Sequence, residues 1–223
     1  MIGNKLEQSI ISVFQNNPSK TFSINEIAKQ LKKSYPIINL KSNFFLKEGI
    51  LRKINIGRSY QCFLNLENEK TKVLMAINEI NNRETFLEQN KDFEMVRGKA
   101  QKLCEKENVK GKIISILVYS KNIIFLLEEL EPSLIQEFQT SIMIPGRYKS
   151  VFLTAQLFKE EFANNIEMQK NHVVLLDVNS YINILRDIAN KLLIKGMLVD
   201  VGTEKISTNS SRDIIKKRDH KNE

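Results

Sequence analysis

Few side chains in this 223-residue sequence are placed for catalysis. The two cysteines, Cys62 and Cys104, and the two histidines, His172 and His220, lie far apart and form no Cys-x-x-Cys or His-x-x-x-His pair. A structural zinc site or a disulfide scaffold is therefore not expected. Cys104 lies in a Lys- and Glu-rich stretch with no histidine near it in sequence, which does not favour a nucleophile.

A cluster of carboxylates, Glu128, Glu129 and Glu131, is the other group that could support chemistry, since paired carboxylates bind metals or exchange protons. The simpler interpretation is a solvated strand end, because the cluster follows an apolar run. The eight glycines are dispersed, so the sequence has no glycine-rich loop for phosphate. We predict no catalytic residue, no cofactor and no metal site.

The positive charge gives a clearer indication. The formal net charge is +8, and ten Lys or Arg residues against four Glu in residues 1–68 supply +6 of it. Residues 69–202 have no net charge, because their basic and acidic side chains balance, and residues 203–223 carry the remaining net charge of +2. This asymmetry indicates that the first third of the chain binds a polyanion. The hydrophobic fraction of 42% suffices for a buried core, which excludes global disorder.

The elements that would position these charges can be predicted for residues 1–68. Apolar spacing indicates a helix over 5–14, and Ser23 with Glu26 three residues later has the spacing of a capping box at the start of a second helix. Two alternating segments flank Gly57-Arg58 and predict a hairpin with a basic tip.

A third helix is predicted to start at Ser34 or Tyr35 and to end at Gly49. Its buried arc on a helical wheel comprises Ile37, Ile38, Leu40, Phe44 and Phe45. The opposite, polar arc comprises Asn39, Ser42, Asn43 and Lys47. Lys41 falls on the apolar side, and we expect its stem to pack while its ammonium group reaches water.

The run SYPIINLKSNFFLKEGIL resembles the recognition helix and the start of the wing in archaeal-type winged helix-turn-helix regulators of the MarR and ArsR type. The resemblance implies a transcription regulator that binds double-stranded DNA. Asn side chains can pair with adenine edges, and basic side chains neutralise phosphates. The predicted DNA-binding residues are Ser34, Tyr35, Asn39, Ser42, Asn43, Lys47, Lys53 and Arg58. The alternative is an interaction adaptor whose winged helix binds protein and not DNA.

Residues 69–90 form a predicted linker helix, with a break near Asn81-Asn82 as one variant. Such a helix either forms a homodimer contact, as a palindromic operator would require, or packs on the second domain of its own chain. The sequence favours neither interpretation over the other.

Residues 91–202 alternate apolar strands with helices, which predicts a mixed sheet layered with helices and an α+β class for the whole chain. The order of the blocks resembles the minimal nucleotidyltransferase fold. Its glycine-serine turn would fall at Tyr119-Ser120, and its metal-binding carboxylates would fall at Ile123 and Phe125, with a third acid position at Val151. Apolar side chains cannot hold Mg²⁺.

These departures predict a catalytically inactive relative that serves dimerisation, sensing or binding of a protein or small molecule. The alternative is a divergent nucleotidyltransferase that uses other carboxylates. Residues 203–223 are predicted to be a flexible basic tail. The sequence has no apolar stretch of about 20 residues and no recognisable leader, so we expect a cytoplasmic protein without membrane contact.

Overall fold

The computed structural model describes residues 4–18, 20–57 and 59–190. Within them the chain is a mixture of helices and two small sheets, which confirms the α+β class. The first third contains three helices and a hairpin, in the order α1 Lys5–Gln15, α2 Ile24–Leu31, α3 Tyr35–Lys47, β1 Leu51–Ile56 and β2 Ser59–Leu64. The long helix α4 Glu69–Gln89 follows without the break considered at Asn81-Asn82.

The second part of the chain alternates helices and strands. Its elements are α5 Asp92–Cys104, β3 Ile113–Tyr119, β4 Asn122–Leu127, α6 Pro132–Ser141, β5 Lys149–Thr154, α7 Ala155–Asn164, α8 Ile166–Asn171 and β6 Val173–Leu176. A further helix, α9, is described over residues 178–190. The predicted tail and the end of the predicted last helix lie outside the described residues.

The larger sheet has the strand order β5-β4-β3-β6. Strand β4 pairs in parallel with β5, and β3 pairs antiparallel with both β4 and β6. The sheet is therefore mixed, as predicted. Side chains alternate between the two faces along each strand, and on each face they pack into a different cluster of buried residues that includes helices.

One face of this sheet packs against α5 and α6. Ile123, Phe125 and Leu127 of β4 point to that side, where they join a cluster with Phe93 and Phe138. Phe125 also stacks on Phe152 of β5, with the ring centroids 5.0 Å apart.

The other face belongs to a second cluster of buried side chains that continues into the first third of the chain. Ile124 and Leu126 of β4 share this cluster with Phe158, with Tyr181 and with the cores of α1, α2, α3 and the hairpin. Helix α4 lies between the two parts and contributes Leu74 and Met75. The N-terminal helices and one face of the sheet therefore share one continuous hydrophobic core.

The caps of the N-terminal helices follow the sequence closely. Ser23 and Glu26 form the predicted capping box at α2. Helix α3 has Ser34 as its N-cap and Pro36 in its first turn. Its C-terminus is a Schellman motif, in which the Gly49 amide donates to Leu46 and the Ile50 amide donates to Phe45. Gly49 has φ +69°, a conformation that glycine adopts without strain.

The orientation of α3 differs from the predicted one. Ile38, Ser42 and Phe45 face the core, whereas Ile37, Leu40 and Phe44 are 52%, 76% and 36% exposed. Apolar residues occur all round this helix, so the apolar pattern alone does not define its buried side. The inward face is defined by the residues that it contacts on other elements.

Lys41 shows one of these contacts. Its ammonium group does not simply reach water, as predicted, but forms an ion pair with Glu7 of α1, with Nζ 2.8 Å from Oε1. Glu7 is only 2% exposed, so its carboxylate needs a nearby cation. This ion pair holds α3 against α1 in one rotational setting.

Candidate nucleic-acid interface

The outer side of α3 and the adjoining face of the hairpin form the candidate site. Of the predicted residues, Ser34, Tyr35, Asn43, Lys47 and Lys53 are exposed. Asn39 is partly exposed. Arg58 lies outside the described residues.

Ser42 was predicted to belong to this surface, and that prediction is wrong. Its side chain is fully buried between Ile38 and Phe45, one turn away on either side of the same helical face. The prediction placed Ser42 on the exposed side of α3 because serine is polar and lies with Asn39, Asn43 and Lys47 on the helical wheel. A serine is small enough to be enclosed where a helix packs closely on its neighbours, and Ser42 therefore cannot contact a ligand.

Two amides form a pair on the exposed side of α3. The Asn43 Nδ2 atom donates a hydrogen bond to Asn39 Oδ1 over 3.2 Å. One N–H of Asn43 and its Oδ1 atom have no other hydrogen bond to a described residue and face outward. An amide with one donor and one acceptor side by side has the arrangement that pairs with an adenine edge.

The hairpin presents Lys53 on the side that faces α3. In the β1–β2 register Lys53 stands opposite Cys62, so the two side chains lie on the same face of the ribbon, where Cys62 is buried and Lys53 is exposed. The Lys53 Nζ atom lies 5.3 Å from the centre of the Tyr60 ring. The pKa of Tyr60 is raised by burial and by the nearby Cys62 and Tyr35 side chains. Tyr35 of α3 therefore lies close to the ribbon.

Each of the four carboxylates of residues 1–68 forms an ion pair or accepts hydrogen bonds from neighbouring groups. Glu7 pairs with Lys41, and Glu26 accepts hydrogen bonds from Ser23. Glu48 and Glu67 contact residues from later in the chain. The Lys70 Nζ atom lies 2.5 Å from Glu48 Oε2. The Arg186 Nε atom and the Asn190 Nδ2 atom lie 3.9 and 3.2 Å from Glu67 Oε1. The Lys70 hydrogen bond lowers the pKa of Glu48, and the Ser23 hydrogen bonds lower that of Glu26.

The basic side chains of the same region are mostly unpaired. Within the described part of the chain, eight of them form no ion pair with a carboxylate: Lys5, Lys20, Lys29, Lys32, Lys33, Lys47, Arg52 and Lys53. All eight are exposed. The first third therefore carries a field of free positive charge around α3 and the hairpin, which is the electrostatic pattern of a phosphate-binding surface.

Two features of this surface were not found by sequence reasoning. The first is the exposed apolar stripe of Ile37, Leu40 and Phe44, spaced three and four residues apart on α3. The second is Lys33, exposed just before the α3 N-cap. The basic pair Lys32-Lys33 in the sequence could have indicated the second feature. The stripe has no such signal, because a sequence does not distinguish exposed apolar residues from buried ones.

The positions that would carry metal in the nucleotidyltransferase resemblance are part of the hydrophobic core. Ile123 and Phe125 are 0% and 1% exposed, and Ser120 lies in the exposed turn between β3 and β4 with φ +55°. Among the described residues no group of three or more His, Cys, Asp or Glu side chains is arranged to hold a metal ion. Glu131 of the carboxylate cluster pairs with Lys112 at 2.8 Å, while Glu128 and Glu129 are exposed.

The two cysteines are poorly suited to react. Cys62 is fully buried and Cys104 is partly exposed, and burial raises the pKa of each thiol to about 11. Over the described residues, no helix has the length and apolar character needed to cross a bilayer. Comparisons with protein-family models, with curated proteins and with solved structures gave no match to this chain.

Proposed function

We propose that this chain is a DNA-binding regulator of transcription in the cytoplasm, whose first third acts as a winged helix. In this proposal α3 enters the major groove and the β1–β2 ribbon lies along the flanking phosphates. The observation that carries the proposal is the charge distribution. The carboxylates near α3 form ion pairs or hydrogen bonds within the chain, while eight lysines and arginines of the same region are exposed and form no ion pair with a described residue.

The order and contacts of the elements support this proposal. Three helices precede a two-stranded ribbon, α3 packs on both α2 and β1, and the segment before α2 bridges to the ribbon through Phe22 and Cys62. This arrangement leaves the outer side of α3 uncovered by any described element. A helix held on one side and open on the other is what insertion into a groove requires.

The test is a salt titration of binding to a mixed-sequence duplex. The logarithm of the association constant should fall linearly with the logarithm of the salt concentration. The slope of this line is proportional to the number of phosphates that the protein neutralises. The triple variant Lys47→Gln, Arg52→Gln, Lys53→Gln should reduce that slope by roughly one unit per lost phosphate contact. The absence of duplex binding at low salt would overturn the proposal.

The matched control removes three exposed lysines from the second part of the chain, as Lys102→Gln, Lys110→Gln, Lys121→Gln. It changes the total charge by the same amount but leaves the α3 surface intact. We expect its salt slope to stay close to that of the unaltered chain. Equal loss in both triple variants would show a diffuse effect of net charge and no located interface.

A protein-binding adaptor is the second candidate, and the exposed stripe of Ile37, Leu40 and Phe44 favours it. Solvent-exposed apolar groups of this size often mark protein contacts. This candidate predicts no salt-dependent affinity for DNA, and so the same titration separates the two.

For the second part of the chain we propose a catalytically inactive, nucleotidyltransferase-like unit that dimerises, senses a small molecule or binds a protein. The buried apolar side chains at Ile123 and Phe125 support this view. Incubation with labelled nucleoside triphosphates and Mg²⁺ tests it, because covalent labelling that is lost in Glu129→Ala would favour the divergent enzyme.

Helix α4 supports the proposal of a homodimer. Val73 and Ile80 are 56% and 39% exposed and lie with Ile77 on one stripe of the helix, beside a groove shared with α9. A second copy packed on this stripe would give two α3 helices related by two-fold symmetry, as a palindromic site requires. Sedimentation should show a dimer that becomes a monomer in Val73→Asp, Ile80→Asp, and a monomeric unaltered chain would exclude this contact.

A further inference from the structure

We infer that α3 recognises A·T-rich duplex DNA, with Leu40 and Ile37 contacting thymine methyl groups and Asn43 pairing with adenine. This inference rests on the proposed DNA-binding function and adds the class of sequence that the site selects. It starts from the apolar stripe, which is the feature of the surface that phosphate binding leaves unexplained.

The stripe occupies the part of α3 that would point into a groove. Leu40 is 76% exposed, more than the other exposed large hydrophobic residues described in the first third, and Ile37 is 52% exposed one turn before it. Phe44 is held more firmly, because the Lys41 ammonium group lies 5.1 Å from its ring centre and Phe45 packs against it. The two aliphatic side chains are therefore the more exposed part of the stripe.

The charges around the stripe favour DNA over an apolar protein surface. Lys33 precedes the stripe, Lys47 follows it, and Lys53 lies on the adjoining ribbon, all exposed and without an ion pair to a described residue. The major groove of DNA is bordered by phosphates on both sides. A helix with apolar residues at its centre and free cations at its edges matches that distribution.

Thymine supplies the apolar partner in that groove. Its C5-methyl group is the apolar contact that an A·T pair presents there, and the adenine of the same pair presents an acceptor beside a donor. Asn43, three residues after Leu40, carries the complementary donor and acceptor, and Asn39 holds its amide by the 3.2 Å hydrogen bond. Asn39 is thus a positioning residue. The side chains at 40 and 43 can read the two bases of one or two adjacent A·T pairs.

The test compares three duplexes of equal length with the full chain: an A·T-rich duplex, the same sequence with deoxyuridine in place of thymidine, and a G·C-rich duplex. Deoxyuridine keeps the base pairing and removes only the methyl groups. Binding to the deoxyuridine duplex should be weaker by about four-fold for each contacted methyl group. The G·C-rich duplex should bind more weakly than the A·T-rich one.

Leu40→Ala links the effect to this surface. Because Leu40 is exposed, the variant should fold, and the ratio of its affinities for the thymidine and deoxyuridine duplexes should fall by about four-fold, the share of one methyl contact, while the share of Ile37 remains. The matched control is Leu157→Ala on α7, a leucine that is 46% exposed and outside the candidate site, which should keep the full ratio. Asn43→Ala should weaken the preference for A·T over G·C.

The outcomes separate this inference from the function on which it rests. Salt-dependent binding with equal affinity for thymidine and deoxyuridine duplexes, or for A·T-rich and G·C-rich duplexes, overturns the inference and leaves DNA binding standing. No salt-dependent binding to any duplex overturns both. Self-association that Leu40→Ala abolishes, with its thymidine preference unchanged, would assign the stripe to a protein contact and overturn the inference.

Discussion

At the scale of single residues, two polar side chains on the inward side of α3 have different consequences. Lys41 compensates a buried carboxylate, whereas the Ser42 hydroxyl is enclosed with no hydrogen-bond partner among the described residues. A buried hydroxyl group that loses water and gains no partner is destabilising. Ser42 therefore does not contribute to stability through its polar group.

We predict that Ser42→Ala keeps or raises the free energy of unfolding, by up to about 1 kcal/mol, since it removes the unpaired hydroxyl with little change of volume. Urea denaturation checks this value, and the affinity for duplex DNA should not change. Loss of DNA affinity in Ser42→Ala with stability retained would mean that the helix turns its other face outward in solution.

The cysteines allow a pH-dependent prediction. Burial raises both thiol pKa values to about 11, so at pH 8 only about one thiol in a thousand is ionised, against roughly a quarter for an ordinary thiol with a pKa near 8.5. Labelling of the folded chain by a thiol reagent should be slow at pH 8 and should accelerate about tenfold per pH unit up to about 11. The thiol form is favoured in the folded state, so this stabilising contribution is complete below about pH 8.5 and is lost as the pH rises towards 11.

Time-resolved labelling with a chromogenic disulfide reagent measures these rates, with the urea-unfolded chain as the control. Cys104 should react before Cys62, because Cys62 is fully buried. Rapid labelling of both thiols at neutral pH would contradict the raised pKa values.

At the scale of elements, the junction between α3, β1 and α4 fixes the angle between the candidate recognition helix and the ribbon. The Asn65 amide donates to the Gly49 carbonyl over 2.8 Å, and the Asn68 amide donates to the Glu48 carbonyl over 3.1 Å. Thr71, in the first turn of α4, donates its hydroxyl to the Ile50 carbonyl. Three side chains, from the segment after β2 and the first turn of α4, thus bind the carbonyl groups of residues 48–50 at the end of α3.

Gly49→Ala should disrupt this junction. Its backbone has φ +69°, and an added Cβ would lie 3.2 Å from the Asn68 Nδ2 atom. We expect the free energy of unfolding to fall by about 1–2 kcal/mol, and DNA affinity to fall with it if α3 moves relative to the ribbon. Chemical denaturation and the salt titration measure the two effects. Gly98→Ala on α5, where no atom lies within 4 Å of the added Cβ, is the control and should be neutral or stabilising.

The sequence predicted most elements well and the α3 surface poorly, for one physical reason. Strands β3 and β6 and helix α7 have the predicted bounds because apolar runs and turn residues are local signals. The short, polar α8 has no such signal and was missed. The rotation of α3 depends on Glu7, 34 residues earlier in the chain, and a local pattern does not encode that contact.

At the scale of the whole molecule, a buried polar cluster joins the N-terminal helices to the sheet. Gln15 of α1 donates to Glu79 of α4 over 2.5 Å, and Glu79 Oε1 lies 3.5 Å from Nε2 of His172, next to β6. Nε2 of His172 also contacts the Tyr181 hydroxyl group over 2.5 Å, and its Nδ1 contacts the Met168 carbonyl. A carbonyl group can only accept, so Nδ1 donates to Met168, and the Tyr181 hydroxyl group, whose pKa burial raises, donates to Nε2.

Because this polar cluster lies inside the shared hydrophobic core, its loss should lower the stability of the N-terminal helices and of the sheet together. Tyr181→Phe leaves His172 without its buried donor, and we expect a loss of about 1–3 kcal/mol in the free energy of unfolding. Tyr148→Phe is the control, since that hydroxyl group makes no hydrogen bond to a described residue. Calorimetry should show one transition that moves to a lower Tm in Tyr181→Phe, with equal calorimetric and van't Hoff enthalpies. Two separate transitions, of which only one moves, would mean that the N-terminal helices and the sheet unfold independently, and that α4 couples the candidate DNA-binding surface to the sheet only weakly.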